Sequence, residues 1–335
     1  MAKQMVAELQ PNQTVSSCFA ISQRSLIPFK NKSGSYLDLL LSDRTGSVVG
    51  RAWDNAEQIA AVCPPGSVVK IEGRVDEYRG KLQIIVEAAA PAEPGDYERA
   101  DMLEAAGRDT GELLSELYEF LGQVTNPYLR QLLESFFGDD AFVQDFAEGP
   151  GAKRQHHAHI GGLLEHTVSV VKLLGTVHEL HPQLDRDLLI AGGLLHDIGK
   201  LAEFATGVTI EYTDIGRLVG HIVITDRWVR EKIEAIPDFP RELDNKLNHI
   251  LLSHHGQKEY GAPIVPMTAE ACALHYADNL DAHVQYFVRE ISKGGASGNS
   301  WTEYQKLFDR YLYVGPPANN QEGVGAVTDR DGGQS

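Results

Sequence analysis

The chain shows two patterns of hydrophobic positions. Between about residues 14 and 90, short apolar runs alternate with turn signals, whereas beyond residue 110 apolar residues recur every three or four positions. Short alternating runs are typical of β-strands, and recurrence every three or four positions is typical of amphipathic α-helices. The sequence therefore predicts a β domain followed by a helical body.

The first pattern predicts five short strands and one helix. Four of the strands are expected at residues 36–42, 47–53, 68–75 and 82–86, and the helix at 54–62. Asp43–Gly46 predicts a turn between the first two strands, because Gly tolerates positive φ, and residues 78–81 predict the turn of a second hairpin. This content in so short a segment indicates an OB-fold, a small Greek-key barrel.

The second pattern predicts helices at residues 110–121 and 127–137 and an almost wholly helical chain from 161 to about 313. Breaks rich in Gly, Pro and Asp are expected near residues 182, 207, 237, 256–266 and 294–298. We therefore expect an OB-fold domain at 1–92, an acidic helical linker at 93–150, an all-α body at 151–314 and a disordered tail at 315–335.

Charge narrows the classes of function. The 335 residues include 47 acidic and 30 basic side chains, and the net charge of −17 excludes a uniformly basic nucleic-acid coat. Residues 91–150 carry 14 acidic and three basic side chains, so the acidity is concentrated in the predicted linker. The predicted OB-fold domain is near neutral, and it could bind a polyanion locally.

The sequence also indicates a cytoplasmic protein. Cys18, Cys63 and Cys272 lie far apart, which argues against a disulfide framework or a thiolate zinc finger and fits a reducing compartment. No apolar run approaches the ~20 residues that span a bilayer, and the first residues show no secretory signal.

Seven His and Asp residues in apolar helical surroundings are the candidate chemistry. In chain order they are His166, His196, Asp197, His221, His254, His255 and Asp278. Any one of them alone would be interpreted as an ordinary core or surface residue. Together they would be costly to bury without partners, at ~1–3 kcal/mol each. Because imidazoles and carboxylates are ligands for divalent ions, a shared metal centre removes that cost.

The order of these residues resembles the HD superfamily of metal-dependent phosphohydrolases in its two-metal form. The resemblance implies that Asp197 bridges two ions. The remaining ligands would be His166, His196 and Asp278 on one ion and His221, His254 and His255 on the other. Lys200, in the sequence His-Asp-Ile-Gly-Lys, matches the family's phosphate-binding lysine, so the resemblance assigns catalytic roles to Asp197 and Lys200.

The predicted barrel and the sequence around the candidate ligands extend the resemblance from the superfamily to one family. Gly161–Thr167, His196–Phe204 and Tyr212–His221, taken with the barrel, are similar to the YhaM family of 3′-to-5′ exoribonucleases over roughly residues 14–314. The resemblance implies hydrolysis of single-stranded RNA to nucleoside 5′-monophosphates, with single-stranded DNA as a further candidate substrate. It also implies two divalent ions, manganese before cobalt, iron or zinc.

The predicted barrel offers candidate substrate contacts. Tyr36 and Tyr78 lie beside predicted loops and could stack on bases, whereas Trp53 and Phe19 are interpreted as barrel core. The other candidates are basic or imidazole side chains, Arg24, Lys30, Lys32, His156 and His157. The two histidines precede the first metal helix and could line the entrance to the site.

Two other functions stay open at this stage. One is a cyclic-dinucleotide or nucleotide phosphohydrolase, although the sequence Gly256–Pro263 after His255 departs from the HD-GYP pattern. The other is a non-catalytic single-strand-binding module, for which a lost ligand would be the expected sign. A homo-oligomer is also open, because segment 96–150 could be an interface or a spacer.

Overall fold

The structure, a computed structural model, describes residues 3–78, 80–93, 95–103, 107–152, 159–296 and 299–316. These described residues form two compact units, which are divided between Asn279 and Leu280. The strands are β1 (Thr14–Pro28), β2 (Ser35–Asp43), β3 (Gly46–Ala52), β4 (Val68–Tyr78), β5 (Lys81–Pro91), β6 (Phe204–Thr206) and β7 (Ile210–Tyr212). The helices are α1 (Ala56–Val62), α2 (Thr110–Gln123), α3 (Pro127–Phe137), α4 (Asp140–Glu148), α5 (Gly162–Leu180), α6 (Arg186–Leu195), α7 (Lys200–Glu203), α8 (Asp214–Leu218), α9 (His221–Glu234), α10 (Arg241–Ser253) and α11 (Ala269–Ala296).

Strands β1 to β5 close into a barrel in the order β1-β2-β3-β5-β4. The β3–β5 pair is parallel, the other pairs are antiparallel, and α1 connects β3 to β4. Alternate residues of β2, Leu37, Leu39 and Leu41, point into the core. At Gly73, where the β4–β5 register shifts, a Cβ would lie only 2.1 Å from the Ile85 carbonyl oxygen. The predicted OB-fold is confirmed.

Helices α2 to α6, α9 and α10 share one apolar core, whereas α1 packs in the core of the barrel. Helices α2 to α4 contribute Leu117, Leu132 and Phe146, which pack in the same cluster as Leu195 of α6 and Leu251 of α10. The segment predicted as a linker is thus part of the helical body's core. The predicted division at residue 150 stays a prediction.

A short hairpin interrupts the helical body, where the sequence had predicted helix with a break at 207. Strands β6 and β7 pair antiparallel. The physical reason is that β-branched and aromatic residues, which favour extended backbone, occupy the strands on both sides of the bend at 207–209. They are Phe204 and Thr206 in β6 and Ile210 and Tyr212 in β7. Val208 packs beside Cys18, Val68 and Met102 on the outside of the barrel.

The second unit also departs from the predicted helix. After α11, the described residues 299–316 form isolated bridges that pair Trp301 with Tyr313 and Gln305 with Arg310. The predicted disordered tail lies outside the described residues from 317 onward. Within the described ranges, no helix has the length and apolar character needed to cross a bilayer.

Candidate functional site

Five helices bring the seven predicted ligands to one place. The ligands are His166 on α5, His196 and Asp197 after α6, His221 at the start of α9, His254 and His255 after α10, and Asp278 on α11. Five of them are buried, and His255 and Asp278 are partly buried. Because most ligands lie at helix ends or starts, their positions depend on where apolar helices terminate.

Asp197 lies at the middle of the group. Its Oδ2 is 3.5 Å from His166 Nε2 and 3.3 Å from His196 Nε2. Its Oδ1 faces the other side, 3.4 Å from His221 Nε2 and 3.7 Å from His254 Nε2. Each carboxylate oxygen therefore faces a different pair of imidazoles.

The ligand atoms form two groups on the two sides of this carboxylate. One group contains His166, His196 and Asp197, and the other contains His221, His254 and His255. Within each group the ligand atoms lie within 4.8 Å of one another. Asp278 Oδ1 lies 3.1 Å from His166 Nε2 and so belongs beside the first group.

The imidazole rings are oriented by their second nitrogen. The Nδ1 atoms of His196, His254 and His255 lie 2.7–2.8 Å from main-chain carbonyl oxygens. A carbonyl only accepts, so each Nδ1 carries the proton and donates. Each Nε2 therefore carries a lone pair and no proton, which is the tautomer that binds a metal.

Several of the converging atoms have no other partner. Among the described residues, the buried atoms Asp197 Oδ1, His221 Nε2 and His254 Nε2 have no hydrogen-bond partner. All three are acceptors that face one another, and unsatisfied buried polar groups are costly. A divalent cation between them supplies what every one of these atoms lacks, so the residues present fit a metal.

The carboxylates of the site are held ionised. Burial opposes charge on Asp197, but Lys200 outweighs burial and keeps the pKa of Asp197 well below its usual value. Burial likewise opposes charge on Lys200, whose pKa is nevertheless raised by Asp197, 2.6 Å away. Burial is also outweighed at Asp278, where His166 keeps the carboxyl pKa low.

The histidines beside them are held neutral. Burial keeps the pKa of His254 well below its usual value. Burial also lowers the pKa of His255. Ionised carboxylates with neutral imidazoles are the protonation states that bind divalent ions.

Glu203, the last residue of α7, is a site residue that the sequence did not single out. Its carboxylate oxygens lie 3.0 and 3.1 Å from His221 Nδ1, and Oε1 also accepts from the His221 backbone N–H at 3.1 Å. Burial opposes its charge, but these hydrogen bonds outweigh burial and lower the pKa of Glu203. The available signal was an acidic residue in the otherwise apolar stretch after Lys200.

An aromatic cluster lies at one end of the barrel. The Tyr36 ring stacks on Trp53 at 4.9 Å between centroids, and Phe29 lies 5.7 Å from Tyr36. Lys32 Nζ lies 4.0 Å from the centre of the Phe29 ring. Trp53 is 41% exposed, so its interpretation as barrel core is wrong, whereas Phe19 is fully buried as predicted.

Two other predicted substrate contacts, Tyr78 and Arg24, lie elsewhere on the barrel. Tyr78, 53% exposed, sits at the tip of the β4–β5 hairpin, beside the opposite ends of β2 and β3. Arg24 donates to the Ala60 carbonyl oxygen of α1 at 2.7 Å. Lys30 lies in the β1–β2 loop with Lys32, and His156 and His157 lie outside the described residues.

Family models match both parts of this architecture. Residues 21–91 match an OB-fold nucleic acid binding domain, and residues 163–283 match the HD domain. The fold and the site therefore define a protein that joins an OB-fold barrel to an HD domain.

Curated relatives match across both parts. The chain is 36% identical to the 3′-5′ exoribonuclease YhaM of Geobacillus sp. (strain WCH70), over 77% of this chain and 79% of the relative. It is 34% identical to the 3′-5′ exoribonuclease YhaM of Bacillus subtilis (strain 168), over 77% and 82% of the two chains. The chain belongs to the YhaM family.

Proposed function

We propose that this protein is a 3′-to-5′ exonuclease that hydrolyses single-stranded RNA to nucleoside 5′-monophosphates at a two-metal centre. The observation that carries the proposal is the buried Asp197, whose two oxygens face two separate sets of imidazoles. The names of the relatives support the polarity and the RNA substrate. Single-stranded DNA is the second substrate to test.

The ligands divide as the two sides of Asp197 suggest. His166, His196 and Asp278 would hold one ion, and His221, His254 and His255 the other, with Asp197 common to both. When bound, two divalent ions activate water and neutralise the charge of the reacting phosphate. We propose manganese as the ion, on family resemblance, and the cytoplasm as the compartment.

The chain's own residues then do three things. Asp197 holds the two groups of ligands beside each other. Lys200 adds a buried positive charge, which stabilises the negative charge that the phosphate gains in the transition state. The barrel holds the strand through Tyr36, Trp53 and the basic Lys32. In the reaction, water adds to the terminal phosphorus and the bond to the preceding 3′-oxygen breaks. That oxygen takes a proton, and a nucleoside 5′-monophosphate leaves.

The test uses a 5′-labelled single-stranded RNA of about 20 nucleotides. We expect a ladder that shortens from the 3′ end with manganese, and no reaction with a chelator or with Asp197→Ala. Asp140→Ala, which removes an exposed carboxylate on α4, should leave the rate unchanged. An intact RNA under manganese and other divalent ions would contradict the proposal and favour cyclic dinucleotides or nucleotides as substrates. Matched DNA of the same sequence tests the second substrate.

A further inference from the structure

We propose that Glu203 is a positioning residue that orients His221 and so sets the metal affinity of the group His221, His254 and His255. The inference rests on the proposed two-metal centre and extends it to a residue that binds no metal itself. The observation that supports it is the hydrogen bond between the buried Glu203 carboxylate and the buried His221 imidazole.

The geometry fixes the tautomer of His221. Both Glu203 oxygens lie within 3.1 Å of His221 Nδ1, and an ionised carboxylate only accepts. Nδ1 therefore carries the proton, and Nε2 turns its lone pair toward Asp197 Oδ1, 3.4 Å away. A carboxylate behind a ligating imidazole also raises the basicity of that imidazole.

Glu203 is itself held in place through its backbone. The Thr213 N–H donates to the Glu203 carbonyl oxygen at 3.0 Å, and the Thr213 hydroxyl donates to the Ala202 carbonyl oxygen at 2.6 Å. Gly216 of α8 packs so closely that a Cβ there would lie 2.3 Å from the Glu203 carbonyl oxygen. These contacts fix the main chain of Glu203 and involve none of its carboxylate oxygens, which bind His221 instead.

Glu203 also serves the start of α9. Gly220 precedes the helix and has no side chain to cap it, so the Glu203 carboxylate accepts from the first N–H, that of His221. Anions at a helix N-terminus are stabilising. A purely structural cap is therefore the competing explanation, and the test must separate capping from tuning of the ligand.

This support differs in kind from that of the other rings. His196, His254 and His255 direct Nδ1 to main-chain carbonyls, which no side-chain substitution removes. The support of His221 is a charged side chain that can be neutralised without changing its shape. Glu203→Gln keeps an oxygen acceptor for the His221 N–H and removes only the negative charge.

The experiment measures manganese binding calorimetrically in wild type, Glu203→Gln, Glu203→Ala and the control Glu179→Gln, which neutralises an exposed carboxylate at the end of α5. Replacing such outer partners costs about 10–100-fold in metal affinity. We expect that loss for one of the two ions in Glu203→Gln, a larger loss in Glu203→Ala and none in the control. Nuclease activity of Glu203→Gln should return when manganese is raised by the same factor, which a structural cap would not produce.

A second measurement does not depend on metal. Imidazole ¹⁵N shifts of the metal-free protein should show His221 protonated at Nδ1 in wild type and a mixture of tautomers in Glu203→Ala. Two unchanged metal affinities in Glu203→Gln would overturn the inference and leave the two-metal proposal intact. If wild type bound fewer than two ions, the two-metal proposal would fail, and an unchanged His221 tautomer in Glu203→Ala would then overturn the positioning role.

Discussion

The barrel and the helical body bury different kinds of side chain. The barrel core is apolar, with Phe19, Ile71 and Ile84 fully buried. A carboxylate that the barrel does bury, Asp43, accepts from the N–H groups of Val6 and Thr45 at 2.7 Å. In the helical body, by contrast, buried candidate ligand atoms such as Asp197 Oδ1 have no hydrogen-bond partner among the described residues.

This difference indicates whether the stability of each part depends on a bound metal ion. In the barrel, Asp38 Oδ1 and Arg51 Nε lack a hydrogen bond within the described part of the chain, but they face each other as an ion pair at 3.6 Å. The free energy of unfolding of the barrel should therefore not depend on a metal ion. The helical body keeps a group of unsatisfied acceptors in its core at a cost of ~1–3 kcal/mol each. Its stability should therefore be tied to metal binding, because a ligand that binds only the folded state stabilises that state.

Removal of metal gives the largest expected contrast between the two parts. With free manganese at 100 to 1,000 times the dissociation constant, the ion contributes about 2.7–4.1 kcal/mol. A chelator should thus lower the amide-exchange protection of α5, α6, α9 and α10 by about 10²- to 10³-fold and change β1 to β5 little.

Hydrogen exchange read peptide by peptide checks this expectation. Asp197→Ala is the control, since a protein that cannot bind the ions should exchange identically with and without chelator. Equal loss of protection in the strands would show that the two parts unfold as one cooperative unit and would break the comparison.

Much of this architecture could be predicted from the sequence, because alternation and helical spacing report directly on burial. The barrel strands followed from alternation, and the seven candidate ligands were visible as His and Asp residues in apolar helical surroundings. Trp53 could have been assigned correctly by the same rule, since the inward positions of β3 are Val48, Gly50 and Ala52, which places residue 53 outside.

Other features depend on contacts that no local pattern encodes. Glu203 and His221 are 18 residues apart, and they meet because the β6–β7 hairpin and α8 fold the chain back between them. The hairpin itself is too short to show a period. The orientations of His196, His254 and His255 depend on main-chain carbonyls, which the sequence does not specify.

A buried thiol in the barrel makes the stability of the barrel sensitive to alkaline pH. Burial raises the pKa of the Cys63 thiol to about 11 against a small opposing effect of Arg24. Because the folded pKa exceeds the unfolded value of 9.0, the stabilisation is complete below pH 9 and is lost as pH rises toward 11. The expected loss is roughly 2–3 kcal/mol, at about 1.4 kcal/mol per pH unit.

Urea denaturation between pH 8 and 11 measures this loss. Burial also raises the pKa of Cys18, so Cys18 is replaced by Ala in both proteins that are compared. The variant Cys63→Ala should lose less stability over this interval than the protein that keeps Cys63. Parallel losses in the two proteins would show that other groups, such as tyrosines and lysines, set the alkaline limit.

The aromatic cluster gives the smallest expected effect, and it tests whether binding and chemistry are divided between the two parts. Trp53→Ala removes a half-exposed ring that stacks on Tyr36. Stacking of a base on an aromatic ring is worth about 1–3 kcal/mol, so a 12-nucleotide RNA should bind about 5- to 150-fold more weakly. Fluorescence anisotropy in the presence of chelator measures this affinity, with Leu180→Ala, an exposed apolar position on α5, as the unchanged control.

Hydrolysis of a small chromogenic phosphodiester by Trp53→Ala should stay at the wild-type rate, because such a substrate does not need the barrel. If Trp53→Ala instead slows that hydrolysis and leaves RNA affinity intact, the barrel supports the catalytic site rather than the strand, and the proposed division of labour is wrong.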